Sequence, residues 1–245
     1  MAQKNPPING AFIYKLGGAA ALGAVLIGMV EILITFLPGG NTTQVTVLDW
    51  FRLFQQNPFM GLRDLGLLNI FFNLMAILTS FALYTAHRET PYKPQAALVM
   101  LISFLGIGIF FATNRAFSML ALSRQYLAAT TEAQRAALEA AGLSLLSVGQ
   151  SHTPGTFLAF FFSELAGVLF AAVILKSKLL GQGSAYVGIL GFGMLLVFEI
   201  FSSFVAGLSA LALTLAMFGG LLSMAWYILL ARKFFQLGQN PAKQA

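Results

Sequence analysis

Six apolar stretches, each long enough to cross a bilayer and nearly free of charge, take up most of the chain, at about residues 13–37, 65–86, 96–117, 154–175, 184–205 and 208–231. A hydrocarbon core of about 30 Å needs roughly 20 residues of helix at 1.5 Å rise, and lipid leaves no other partner for backbone polar groups. The pattern predicts an all-α polytopic transmembrane helical bundle of six spans, in one membrane-embedded domain covering residues 1–245. Charged residues make up 9% of the chain, against about a quarter in soluble domains. Mean hydropathy is +0.81, so an aqueous fold could not bury this much apolar surface.

Turn chemistry marks the breaks between spans: Pro38-Gly39-Gly40 after the first, Pro91 to Pro94 after the second, Pro154-Gly155 before the fourth. The gap between the fifth and sixth spans is short enough to require a tight antiparallel hairpin. Lys4 and Lys15 precede an apolar run too long for a signal peptide, and no small-x-small cleavage site follows, so the run is expected to stay as the first helix. Of the 14 Lys and Arg, nine fall on the side of the termini and five on the other, which places both termini in the cytoplasm. Trp226, Tyr227, Arg232 and Lys233 then read as an inner aromatic and basic anchor for the last span.

Two outward loops carry amphipathic segments, at about 46–57 and 131–149. The first sets Val47, Trp50, Phe51, Leu53 and Phe54 against Asp49, Arg52, Gln55 and Gln56, as in a helix lying in the membrane interface. The second opens on a capping-box pattern, Thr131-x-x-Gln134, and carries the stripe Leu138, Ala141, Leu145 and Val148.

Polar residues inside the spans are few, and they recur on faces of small residues. In the first span Gly17, Ala21, Ala24, Gly28, Glu31 and Thr35 alternate at spacings of four and three; in the second so do Gly66, Asn69, Asn73, Ala76 and Ser80. Glu164 shares a face with Gly167 and Ala171, Glu199 with Gly188, Gly191 and Ser202, and Arg115 with Gly108 and Ala112. Ionisable groups are costly in lipid, so these faces turn toward protein. From midplane to outer boundary they predict one outward-facing ligand or ion pocket made of Glu31, Asn69, Asn73, Arg115, Glu164 and Glu199, with Arg115 as counter-charge. The alternative is that each carboxylate simply hydrogen-bonds a neighbouring helix.

No catalytic motif is present, and no catalytic or metal-ligating residue is assigned: the chain lacks H-E-x-x-H and G-x-S-x-G, and Asp49 and Asp64 stand outside the spans. His87 and His152 fall in loops on opposite sides, as interfacial polar residues. With no cysteine, thiolate metal sites and iron–sulfur clusters are excluded, and no cofactor is expected. The net charge of +6 is scattered over helix ends instead of forming a basic patch, so nucleic acid is not a partner.

Three stretches carry a resemblance: Asn114 to Leu120 with its continuation from Ser123 to Arg135, Ala185 to Leu190, and the ending Trp226 to Gly238. Together they resemble a bacterial family of six-helix integral membrane proteins classed as a domain of unknown function. The resemblance implies a multi-pass protein of the bacterial inner membrane and brings no activity with it. The expected partners are the lipid bilayer and a small solute or proton passing through the pocket. The alternative function is that of a non-catalytic accessory subunit or scaffold, bound to a membrane protein partner or to further copies of itself.

Overall fold

The structure is a computed structural model that describes residues 10–37, 44–149 and 151–239. Among the described residues ten helices follow one another without a strand: α1 (Gly10–Phe36), α2 (Val47–Gln56), α3 (Pro58–Asp64), α4 (Leu67–His87), α5 (Lys93–Thr113), α6 (Ala116–Ala128), α7 (Glu132–Leu146), α8 (Phe157–Ser177), α9 (Gln182–Phe204) and α10 (Ser209–Gln239). Six candidate spans, built on α1, α4, α5, α8, α9 and α10, are long and apolar enough to cross a membrane. The protein is a multi-pass membrane protein of all-α class. The expected turn at Pro38-Gly39-Gly40 lies outside the described residues.

The spans run up and down, and each packs on its neighbours in sequence: α1 on α4, α4 on α5, α5 on α8, α8 on α9, α9 on α10. α10 also packs along α1, which closes the six into a ring. The start of α1 and the end of α10 lie together at one end of this ring, the terminal end, where Tyr14 meets Phe234. At the other, α2, α3, α6 and α7 pack on one another as a cap. Outward-facing Leu22, Leu26, Leu33, Leu101, Leu105, Leu190 and Leu213 are all exposed, as a lipid-facing surface requires.

Glycine sets how closely the helices approach. A Cβ on Gly17 of α1 would stand 2.2 Å from the Cβ of Ala82 on α4, and one on Gly106 of α5 would stand 2.9 Å from the backbone nitrogen of Ser163 on α8. Such contacts replace the hydrophobic drive that lipid cannot supply between helices.

Several boundaries differ from the sequence reading. The third span stops at Thr113 because Asn114 is extended (φ −69°, ψ 129°). The Asn114 side chain accepts from the Ala116 amide at 3.2 Å and donates to the Leu65 carbonyl at 3.2 Å, turning the chain into α6. The last helix runs on to Gln239; its 31 residues reach roughly 46 Å, so its far turns pass beyond the hydrocarbon. There Phe234 is buried and stacks on Tyr14 of α1. Trp226 and Tyr227 consequently sit deeper than an interfacial anchor would, at 2% and 7% exposure inside the ring. His87 is fully buried instead of interfacial, with Nδ1 on the Leu83 carbonyl (2.8 Å) and Nε2 on the Ser177 hydroxyl (3.0 Å), tying α4 to α8.

The amphipathic stripe of α2 faces protein, not the interface. Trp50, Phe51 and Phe54 bury themselves against Leu65, Ala116 and Met119, and Ser123 of α6 donates to the Phe51 carbonyl at 2.9 Å. A capping box starts α2, in which Thr46 and Asp49 bond reciprocally, and the Thr46 hydroxyl holds the Asp49 carboxyl below its ordinary range. α7 begins with the expected box at Thr131 and Gln134 and is tied to α6 by Tyr126 donating to Glu139 at 3.0 Å.

Close approach makes a testable contrast within the ring. Gly17→Leu is expected to lower stability in detergent by about 1–3 kcal/mol or more, as overpacking does. Gly108, whose added Cβ would meet nothing within 4 Å, should accept Leu with a change within about 0.5 kcal/mol. Thermal unfolding of the two purified variants checks it.

Candidate functional site

Among the described residues, two cavities carrying polar side chains lie between the helices. The central one, of about 80 Å³, is enclosed by α4, α5, α8, α9 and α10, while α1 covers the groove between α4 and α10. Its polar lining comes from Asn73, Thr79 and Ser80 of α4, Ser103 of α5, Ser163 and Glu164 of α8, and Ser223, Trp226 and Tyr227 of α10. Phe192 of α9 closes one side, edge-on to Trp226 at 4.9 Å between ring centres.

Hydrogen bonding in this cavity is uneven. Helix carbonyls take up most of the hydroxyl and amide protons: Thr79 donates to Met75 (2.9 Å), Ser163 to Ala159 (2.9 Å), Ser223 to Gly220 (2.8 Å), and the Asn73 amide to Asn69 (2.8 Å). Ser80 and Ser103 bond each other at 2.9 Å across the α4–α5 interface. Within this lining two buried atoms have no hydrogen-bond partner among the described residues, Oε2 of Glu164 and Nε1 of Trp226. Both belong to residues that line the cavity. A buried polar atom without a partner is costly in an apolar interior, and a water or ion in the cavity would offset that cost.

The second cavity lies under the cap and measures about 390 Å³. Arg63 is its fixed point. The guanidinium bonds Glu31 of α1 at 2.6 Å, Asp64 at 2.9 Å and the Thr35 hydroxyl, and its side chain is only 6% exposed. Three separate acceptors match the fork geometry of arginine, which a lysine ammonium would not reproduce. Asn69, Gly66, Ser151 and His152 complete the wall. Gly66 adopts φ +97° at the start of α4, where a side chain would be strained and would press on Asn114.

His152 connects this wall to Glu199. It sits at φ +62°, its ring lies against Phe160 and Phe198, and its carbonyl accepts from Ser202 at 2.8 Å. Nδ1 is 2.6 Å from Oε2 of Glu199, a side chain 1% exposed, whose other oxygen accepts from Ser203 at 3.4 Å. Glu199 thus pins the loop before α8 onto α9.

The six residues expected from sequence to share one pocket are divided. Glu31 and Asn69 line the cavity under the cap, and Asn73 and Glu164 line the central one. Glu199 is engaged by His152, and Arg115 lines neither cavity. Arg115 is buried at the α5–α6 break, with its nearest bond to the Thr113 carbonyl at 3.5 Å; Gly108 and Ala112, expected on its face, are exposed. Arg63 occupies the counter-charge role instead, facing Glu31. Its neighbour Asp64 was the available signal, since adjacent opposite charges at the mouth of an apolar span are rare. His152 carried no comparable mark.

Comparisons with models of known protein families, with curated proteins and with solved structures give no match to this chain. Among the described residues no group of three or more His, Asp or Glu is placed to hold a metal ion.

Removing Arg63 takes from Asp64, 12% exposed, the guanidinium 2.9 Å away, whereas Glu31 at 43% is largely screened by water. Arg63→Ala is expected to destabilise by about 1–3 kcal/mol, with Arg63→Lys restoring only part of it. A double-mutant cycle with Glu31→Gln, read by thermal unfolding, should assign under about 1 kcal/mol to the Glu31 arm.

Proposed function

We propose that the protein binds a small polar solute or proton under its cap and passes it along the ring axis, in a bacterial inner membrane with the cap on the outer side. The reading rests on one observation. Asn69 lines the upper cavity, Asn73 lines the central one, and the Asn73 amide donates to the Asn69 carbonyl one turn away. With Ser80 further along the same face, α4 carries a polar stripe of roughly 16 Å from the cap toward Glu164. Hydrogen-bonding groups in file through an apolar bundle are what a path for a polar cargo needs.

Sidedness rests on charge: the terminal end carries nine of the 14 Lys and Arg, which favours the cytoplasm for that end. The accessory-subunit reading has less behind it. The apolar stripe of α2 that would dock a partner is used up in the cap core, where Trp50, Phe51 and Phe54 are 1–3% exposed.

The chain has no cysteine, so single-cysteine variants can be labelled without altering any other position. A charged, membrane-impermeant thiol reagent applied to the cap side of cells should modify Asn69→Cys readily and Asn73→Cys more slowly. The lipid-facing Leu101→Cys control should stay unmodified. Protection of both asparagine positions from either side would mean a closed seam and would overturn the axial path.

A further inference from the structure

We propose that the central cavity is a binding site for a single alkali-metal cation, with Glu164 as its charge partner. This deepens the axial reading by giving the cargo or co-cargo a chemical class.

Charge and polarity select the ligand. Among the described residues no Lys, Arg or His lines the cavity, while Glu164 brings one carboxyl whose buried Oε2 has no hydrogen-bond partner there. Three of the surrounding hydroxyls have committed their protons, Thr79, Ser163 and Ser223 each donating to a carbonyl of its own helix, while Ser80 and Ser103 share one bond. Their oxygens keep lone pairs for an occupant. Asn73 likewise uses its amide nitrogen on Asn69 and keeps Oδ1. Much of the lining is apolar, and its polar part offers the Glu164 carboxyl, hydroxyl and amide oxygens, and the Trp226 and Tyr227 donors; the carboxyl and those oxygens disfavour an anion and suit a cation, because hard cations take oxygen ligands of this kind.

Valence and size narrow the choice. A divalent ion against one carboxylate would leave a net positive charge inside the bundle, which hydrocarbon surroundings disfavour strongly. A monovalent ion leaves none. The volume of about 80 Å³ holds a small ion with a few waters of its shell, each needing about 10–15 Å³ of such space. Trp226 Nε1, the unpartnered donor on the wall, faces a water of that shell in the occupied state.

The indole also makes the site observable. The chain has two tryptophans, so Trp50→Phe leaves Trp226 as the single reporter. In purified full-length protein, NaCl, KCl or LiCl titrated against choline chloride at constant ionic strength should give a saturable change in Trp226 emission for at least one of the three ions. Glu164→Gln should abolish it or raise its midpoint about tenfold or more, and Ser103→Ala, removing one acceptor, should raise it severalfold. Thermal unfolding in the same salts reads binding without the fluorophore: Tm should rise with the bound ion relative to choline, and the rise should vanish in Glu164→Gln. A folded protein whose emission and Tm are indifferent to the cation, or whose response survives Glu164→Gln, overturns the site. The thiol-labelling result would stand regardless, so a failed ion site and a failed path are distinguishable.

Discussion

Hydrocarbon offers a buried polar side chain no partner, and the arrangement of this protein follows from that constraint. Asn73, Ser80, Ser103, Ser163 and Glu164 each lie on an otherwise apolar helix, and each turns to the space enclosed by α4, α5, α8, α9 and α10. Small residues let this happen. Gly106 brings α5 onto the backbone of α8, and Gly17 brings α1 onto α4, so the polar groups share one cavity in place of facing separate stretches of lipid. Hydroxyls that back-bond to their own helices satisfy their protons there and keep oxygen lone pairs for the interior.

At the cap the same constraint is met by ions in pairs. Arg63 draws Glu31 of α1, its neighbour Asp64 and Thr35 around one guanidinium, locking the cap to the first span. His152 and Glu199 do the equivalent for α8 and α9. Asn114 holds the corner where α5 gives way to α6. These three ties stand at the cap end of the ring, so its width there depends on polar contacts, unlike the apolar seams below.

Much of this was legible in the chain. Apolar length fixes the number of spans, and the spacing of Asn69, Asn73, Ala76 and Ser80 identifies the face of α4 that turns inward, because helical period alone sets which residues align. The same period is silent on which face meets which. Glu31 and Glu164 both turn toward protein, yet they open into different cavities, since depth and helix order come from packing. Arg115 misled because an apolar run reads as continuous helix; the break comes from the Asn114 side chain bonding Leu65, 49 residues away. Trp226 and Tyr227 resemble a membrane-interface belt in sequence, and only the extension of α10 to Gln239 moves them inside. His152 depends on a positive φ and a partner 47 residues distant, neither of which leaves a local pattern.

Six helices close into a ring, and five of them, α4, α5, α8, α9 and α10, enclose the cavity that Glu164 lines. A density map of the protein in lipid nanodiscs, at a resolution that shows ordered solvent, tests this arrangement most directly. The account predicts α1 seated between α4 and α10, and a discrete peak between Glu164, Ser80 and Ser103. An open ring, or a Glu164 carboxyl bonded directly to a neighbouring helix with side chains filling the space, would contradict it.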